Sequence, residues 1–113
     1  NLMPKFEGKT LNTTLLLSEV LDKRESCSVA DLAYSAQSYL AKGLAQLAIA
    51  EAESLRVKAI GFSGGVAHNE HIIHTIRRIA EERGLRFLVH GEVPPGDGGI
   101  AFGQAIVAAL ATS

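Results

Sequence analysis

The chain has 113 residues, 47% of them hydrophobic and 20% charged, with a net charge of −1 and a pI near 6.5. This predicts one compact domain, or a piece of one, able to bury a modest core, and it excludes a disordered chain. The charge balance offers no attraction for nucleic acid or an anionic membrane, and Cys27, the lone cysteine, excludes an intrachain disulfide framework and a Cys-based zinc site.

Asn1 to Thr10 reads as irregular, punctuated by Pro4 and Gly8. The start carries no basic and apolar regions of a secretory signal. A chain beginning at Asn1 is expected to be an excised segment or to carry a short extension before Met3. Leu11 to Arg24 predicts a helix burying Leu15, Leu16, Val20 and Leu21. Cys27 in the following break reads as a partly buried thiol, compatible with a cytoplasmic setting.

Ser28-Val29-Ala30-Asp31 reads as a variant capping box. In it the Ser28 hydroxyl accepts from the third helical N–H and Asp31 reaches back. A long helix to about Leu55 should follow, with Leu32, Ala33, Ala36, Leu40, Leu44, Leu47 and Ala48 as its core stripe. Tyr39, Ile49 and Ala50 lie off that stripe, which predicts a helix sandwiched between layers. Gly43 inside it points to close packing. The apolar region Tyr39 to Ala50 is broken by Lys42 and falls short of the ~20 residues that span a bilayer.

Val57 to Ser63 predicts a short buried strand. Asn69 caps a helix over Glu70 to Arg83 with Ile72, Ile73, Ile76, Ile79 and Ala80 on one face, and Gly84 ends it. Leu85 to His90 predicts a second strand. The stretch G-E-V-P-P-G-D-G-G reads as loop, stiffened by Pro94-Pro95. Ile100 to Thr112 closes the chain as a helix with close backbone approach at Gly103. The fold class is α/β, in the order α-α-β-α-β-α with a short parallel strand pair. Two parallel strands make a poor sheet, so the chain is expected to be part of a larger domain or to complete its sheet with another chain.

Both glycine-rich loops follow a strand and precede a helix, which puts them at the carboxyl edge of a parallel pair, where ligands bind. Gly64 and Gly65 allow positive φ and close backbone approach, and the helix N-terminus adds partial positive charge. Dinucleotide, Walker A and nucleophile-elbow patterns are absent. Asp97, set among Gly96, Gly98 and Gly99, suits a helix cap or a hard cation. His68, His71 and His74 read as exposed polar positions, and His90 carries no pattern.

Ser63-Gly64-Gly65-Val66-Ala67-His68-Asn69 and Pro94-Pro95-Gly96-Asp97-Gly98-Gly99-Ile100-Ala101-Phe102-Gly103-Gln104 resemble the C-terminal part of the HypF carbamoyltransferase family. The second motif is the more specific, and the resemblance covers roughly residues 11 to 111. The same core is similar to the tRNA threonylcarbamoyltransferases and the nodulation-type carbamoyltransferases. The resemblance implies part of an actin-like ATPase (ribonuclease H-like) domain. It implies a nucleotide site at Gly64, Gly65 and Asn69 and a metal ligand at Asp97. It further implies ATP or a carbamoyl-adenylate, with a divalent metal, as cofactors. The acceptor would be a HypE-like protein, carbamoylated at its C-terminal cysteine during NiFe hydrogenase maturation.

Ala67, His68 and Glu70 stand where the family pattern has Phe, Gln and Arg, and Gly96 where it has Asn. No His-x-x-x-His metal pair is present, so residues 1–113 are expected to be one C-terminal subdomain, inactive alone and without catalytic residues of its own. The alternatives are a non-catalytic interaction or homo-oligomerisation module pairing with the missing half of the domain, and a tRNA threonylcarbamoyltransferase-like fragment.

Overall fold

The computed structural model describes residues 2–91 and 96–112. A hairpin, β1 (Phe6–Glu7) and β2 (Thr10–Leu11), precedes α1 (Thr13–Lys23) and α2 (Val29–Leu55). Then come β3 (Ala59–Gly61), a 3-10 turn (Gly65–His68), α3 (Glu70–Glu82), β4 (Arg86–Leu88) and α4 (Asp97–Thr112). The expected order omits the hairpin and the turn. Residues 6 to 11 are therefore not irregular: Gly8, at φ +60°, supplies the left-handed residue that closes the hairpin.

Asn12, not Leu11, starts the first helix, because its side-chain oxygen accepts from the Leu15 N–H at 2.9 Å. Of the expected apolar side only Leu16 is buried; Leu15 and Leu21 are exposed. Cys27 is exposed as well, against the expected partial burial. Its turn lies beyond the end of α1, where no element packs over it.

Ser28 caps α2 as expected, accepting from the Asp31 N–H at 3.1 Å. The core stripe differs from the expected one. Tyr39, Ala41, Gly43, Ala45, Ile49 and Ala52 are buried, whereas Ala33 and Leu44 are exposed and Leu32, Ala36, Leu40, Leu47 and Ala48 are half-buried. Small residues on the true inner face let neighbouring backbones come close, and the large leucines flank that contact. A Cβ on Gly43 would sit 2.5 Å from the methyls of Leu11, so β2 packs directly on the helix there. α2 is thus covered on two faces, by β2 and α1 around Gly43 and Tyr39 and by α3 around Ala41, Ala45 and Ala52, as expected of a helix held between layers.

α2 and α3 share two apolar clusters. One holds Ala41, Ala45, Ile72 and Ile76; the other holds Ile49, Ala52, Ala80 and Leu85. Ile60 and Phe87, register partners in the parallel β3–β4 pair, pack against both clusters. Arg86 and Leu88, on alternate positions of β4, are exposed. The strands are shorter than the apolar runs that predict them. Glu51 pairs with Lys9 at 2.7 Å, and by that hydrogen bond first and its charge second raises the lysine pKa above its ordinary 10.5.

The last helix begins at Asp97, so Asp97, Gly98 and Gly99 are helical rather than loop. The expected stiffening by Pro94-Pro95 lies outside the described residues. α4 buries none of its residues, and no atom approaches Gly103 within 4 Å outside its own helix, so the expected close approach is not made. Among the described residues no helix is long and apolar enough to cross a membrane.

Candidate functional site

The site is built at the carboxyl ends of β3 and β4. The ladder continues past the strands through the Phe62 N–H, which donates to the Leu88 carbonyl at 3.0 Å. One residue further, Ser63 Oγ and His90 Nε2 lie 2.8 Å apart and tie the two strand ends together. The chain then turns at Gly64, whose φ of +104° and ψ of 176° lie in a region essentially restricted to glycine. Among the described residues no atom would lie within 4 Å of a Cβ at Gly64 or Gly65.

Asn69 ends the turn and starts α3. Its Oδ1 accepts from the Ile72 N–H at 3.0 Å. The cap therefore uses the oxygen, and among the described residues the Nδ2 donors have no acceptor. Glu70 follows in the first turn, where the helix dipole favours a carboxylate.

The second loop meets the first. A Cβ on Gly96 would lie 3.6 Å from His68 Nε2 and 4.0 Å from the Gly65 Cα. Asp97, the next residue, occupies the first turn of α4. Gly64, Gly65 and Asn69, at the first loop, and Asp97, in the helical turn that follows the second, thus lie beside the point where the two loops meet. Between the 3-10 turn, the start of α3 and the residues after β4 lies a cleft of about 270 Å³ lined by Ala67, His68, Glu70, Ile73, Val89 and His90; Gly64, Gly65, Asn69 and Asp97 are not among its lining.

Two features escaped the sequence reading. His90 carries no motif, yet it clamps Ser63. His68 faces Gly96, and these are two of the positions that depart from the family pattern; a Cβ at 96 would make ordinary contact with the imidazole at 3.6 Å. Paired departures across two loops were the signal to follow. His71 also differs from the exposed position expected of it. It is half-buried, 3.1 Å from Ser38 Oγ, with its ring 4.5 Å from that of Tyr34.

Among the described residues no three His, Cys, Asp or Glu side chains converge as a metal site. Asp97 is a lone carboxylate, so a catalytic divalent metal does not fit the described residues by themselves.

The family model described as carbamoyltransferase, Kae1-like domain, second subdomain, matches residues 2–104. The chain belongs to the HypF carbamoyltransferase family. The probable carbamoyltransferase HypF of Methanocaldococcus jannaschii is 37% identical over 109 residues, covering 94% of this chain and 14% of that protein. The crystal structure of T. kodakarensis HypF matches with a TM-score of 0.82 at 35% identity, over 99% of this chain and 15% of that one. A tRNA N6-adenosine threonylcarbamoyltransferase of Thermosynechococcus vestitus is 34% identical over 83 residues, 74% of this chain and 24% of that protein. The chain therefore corresponds to a small part of each HypF protein.

Proposed function

We propose that this chain forms one wall of the nucleotide cleft of a HypF-type carbamoyltransferase, within an actin-like ATPase domain. The carrying observation is the convergence of the two glycine loops, Gly96 against His68 and Gly65, at the carboxyl edge of β3–β4. Gly64 and Gly65 let backbone approach the nucleotide, and the Asn69 Nδ2 donors, left over by the cap, address an acceptor on it. Asp97 supplies one ligand to a divalent metal whose remaining ligands come from outside the described residues. Carbamoyl phosphate, water and ATP would give a carbamoyl-adenylate with release of phosphate and pyrophosphate, and the carbamoyl group would pass to the C-terminal cysteine thiol of a HypE-like acceptor in the cytoplasm, releasing AMP, during NiFe hydrogenase maturation.

In this reading the chain is inactive alone, because half a cleft can neither position both reactants nor hold the cation. The experiment is paired: calorimetric titration with ATP, and an assay of carbamoyl-phosphate-dependent ATP turnover. Saturable nucleotide binding with no turnover is expected. Robust turnover by this chain would sink the half-cleft reading; failure to bind any adenine nucleotide would sink the nucleotide assignment.

A second reading, an interaction module, is favoured by α4. Ile100, Phe102, Ile106 and Val107 are all exposed on it, which is the surface expected of a helix covered by further protein.

A further inference from the structure

The seam between α2 and α3 has an apolar floor and a polar flank. On that flank Ser35, Ser38 and Lys42 follow one another at helical spacing on α2, facing His71, Thr75 and Arg78 on α3 across a pocket of about 180 Å³. None of these residues belongs to the glycine loops. We propose that this pocket is a separate oxyanion site that takes a phosphate group.

The charge pattern carries the inference. Lys42 and Arg78 both line the pocket, and no carboxylate does. Among the described residues Arg78 has an acidic partner, Glu82, whereas Lys42, half-buried, has none, as is true also of Lys5, Arg24, Arg56, Lys58, Arg77 and Arg86. An anion in the pocket would give Lys42 a counter-charge. Arg78 bonds Glu82 through Nη1 at 3.3 Å, which leaves other guanidinium N–H groups available.

Thr75 donates its proton to the His71 carbonyl at 2.8 Å, so it has no donor left for a ligand. Ser35 has no partner among the described residues and can donate. His71 is fixed by Ser38 and by the Tyr34 ring, so the wall is preorganised. A compact anion with several acceptor oxygens, able to accept from Lys42, Arg78 and Ser35 at once, is a phosphate group. Its source is free phosphate or a phosphate monoester.

The test is a titration of the 113-residue chain, at constant ionic strength, with inorganic phosphate and separately with O-phosphoserine. It is followed by amide and histidine-ring NMR. Saturable shifts confined to residues 35–42 and 71–78, including the His71 ring, are expected. Lys42→Gln and Arg78→Gln should each weaken binding about tenfold while the dispersed spectrum is retained. Saturation by the monoester alone identifies the ester as the source; saturation by both identifies the phosphate group itself. No saturation by either, or unchanged affinity in both variants, overturns the proposal. ATP binding at the loops is scored separately, through Gly64 and Asn69, so either reading can fail without the other.

Discussion

Asn69 does two jobs with the two ends of one amide. Its oxygen holds the first turn of α3 at 3.0 Å, and in the proposed cleft its nitrogen addresses the nucleotide. The two roles separate by substitution. Asn69→Ser keeps a capping oxygen of similar strength, so thermal stability should change by a few tenths of a kcal/mol at most, while ATP affinity falls about tenfold. Asn69→Ala should lose both, with about 1 kcal/mol of stability. Calorimetric titration alongside denaturant unfolding checks the split; equal ATP binding in all three proteins would remove Asn69 from the site. Its capping role was legible in the sequence because a cap is a local event, an Asn just before an apolar-periodic run. The His68–Gly96 and Ser63–His90 contacts were not, since each joins residues about thirty apart through the fold. His71 was misread for the same reason: the polar flank of α3 faces α2, and no local pattern says so.

At the scale of elements, Tyr39 ties the hairpin and α1 to α2, beside the Leu11 packing on Gly43 and the Lys9–Glu51 pair. Tyr39 is 2% exposed. Its hydroxyl accepts from the Lys5 N–H at 3.1 Å and donates to the Asn12 carbonyl at 2.6 Å. Those two residues close the hairpin, with the Asn12 N–H donating to the Lys5 carbonyl at 2.8 Å. Tyr39→Phe leaves the packing in place and strands both groups, a cost of about 1–3 kcal/mol. Hydrogen exchange should quicken at Lys5 and Asn12 more than at Ile76 or Ala80, which lie in the α2–α3 core. Uniform quickening would mean the hairpin and the core open together. The helices, their caps and the parallel strands were legible in the sequence, because apolar periodicity and capping residues act over a few positions. The hairpin was missed because its two-residue strands are too short to show alternation. The core face of α2 was misassigned because alanine and glycine, not leucine, make the close contact; a hydrophobicity pattern ranks them the wrong way round.

The whole molecule is larger than its mass requires. A compact domain of this length has a radius of gyration of about 13 Å, whereas this chain has 17.1 Å and measures 61 × 32 × 23 Å. Its accessible surface is 7877 Å², against roughly 6000 Å² for a folded monomer of 12.0 kDa. Its exposed apolar side chains include Ile100, Phe102, Ile106 and Val107 on α4 and Leu88 on β4. A helix apolar around most of its circumference is normally buried, and in a chain matching 15% of a solved HypF chain the cover is expected from the rest of the domain. Phe102→Ser with Ile106→Glu should therefore leave the α2–α3 core untouched, within about 0.5 kcal/mol in denaturant unfolding. The same pair should abolish association with the remaining HypF-type domain supplied as a separate chain, read by light scattering and co-elution. Wild-type chain that stays strictly monomeric, with no association with that domain, would remove the interaction reading. A loss of 2 kcal/mol or more in the double variant would show instead that α4 contributes to this chain's own core.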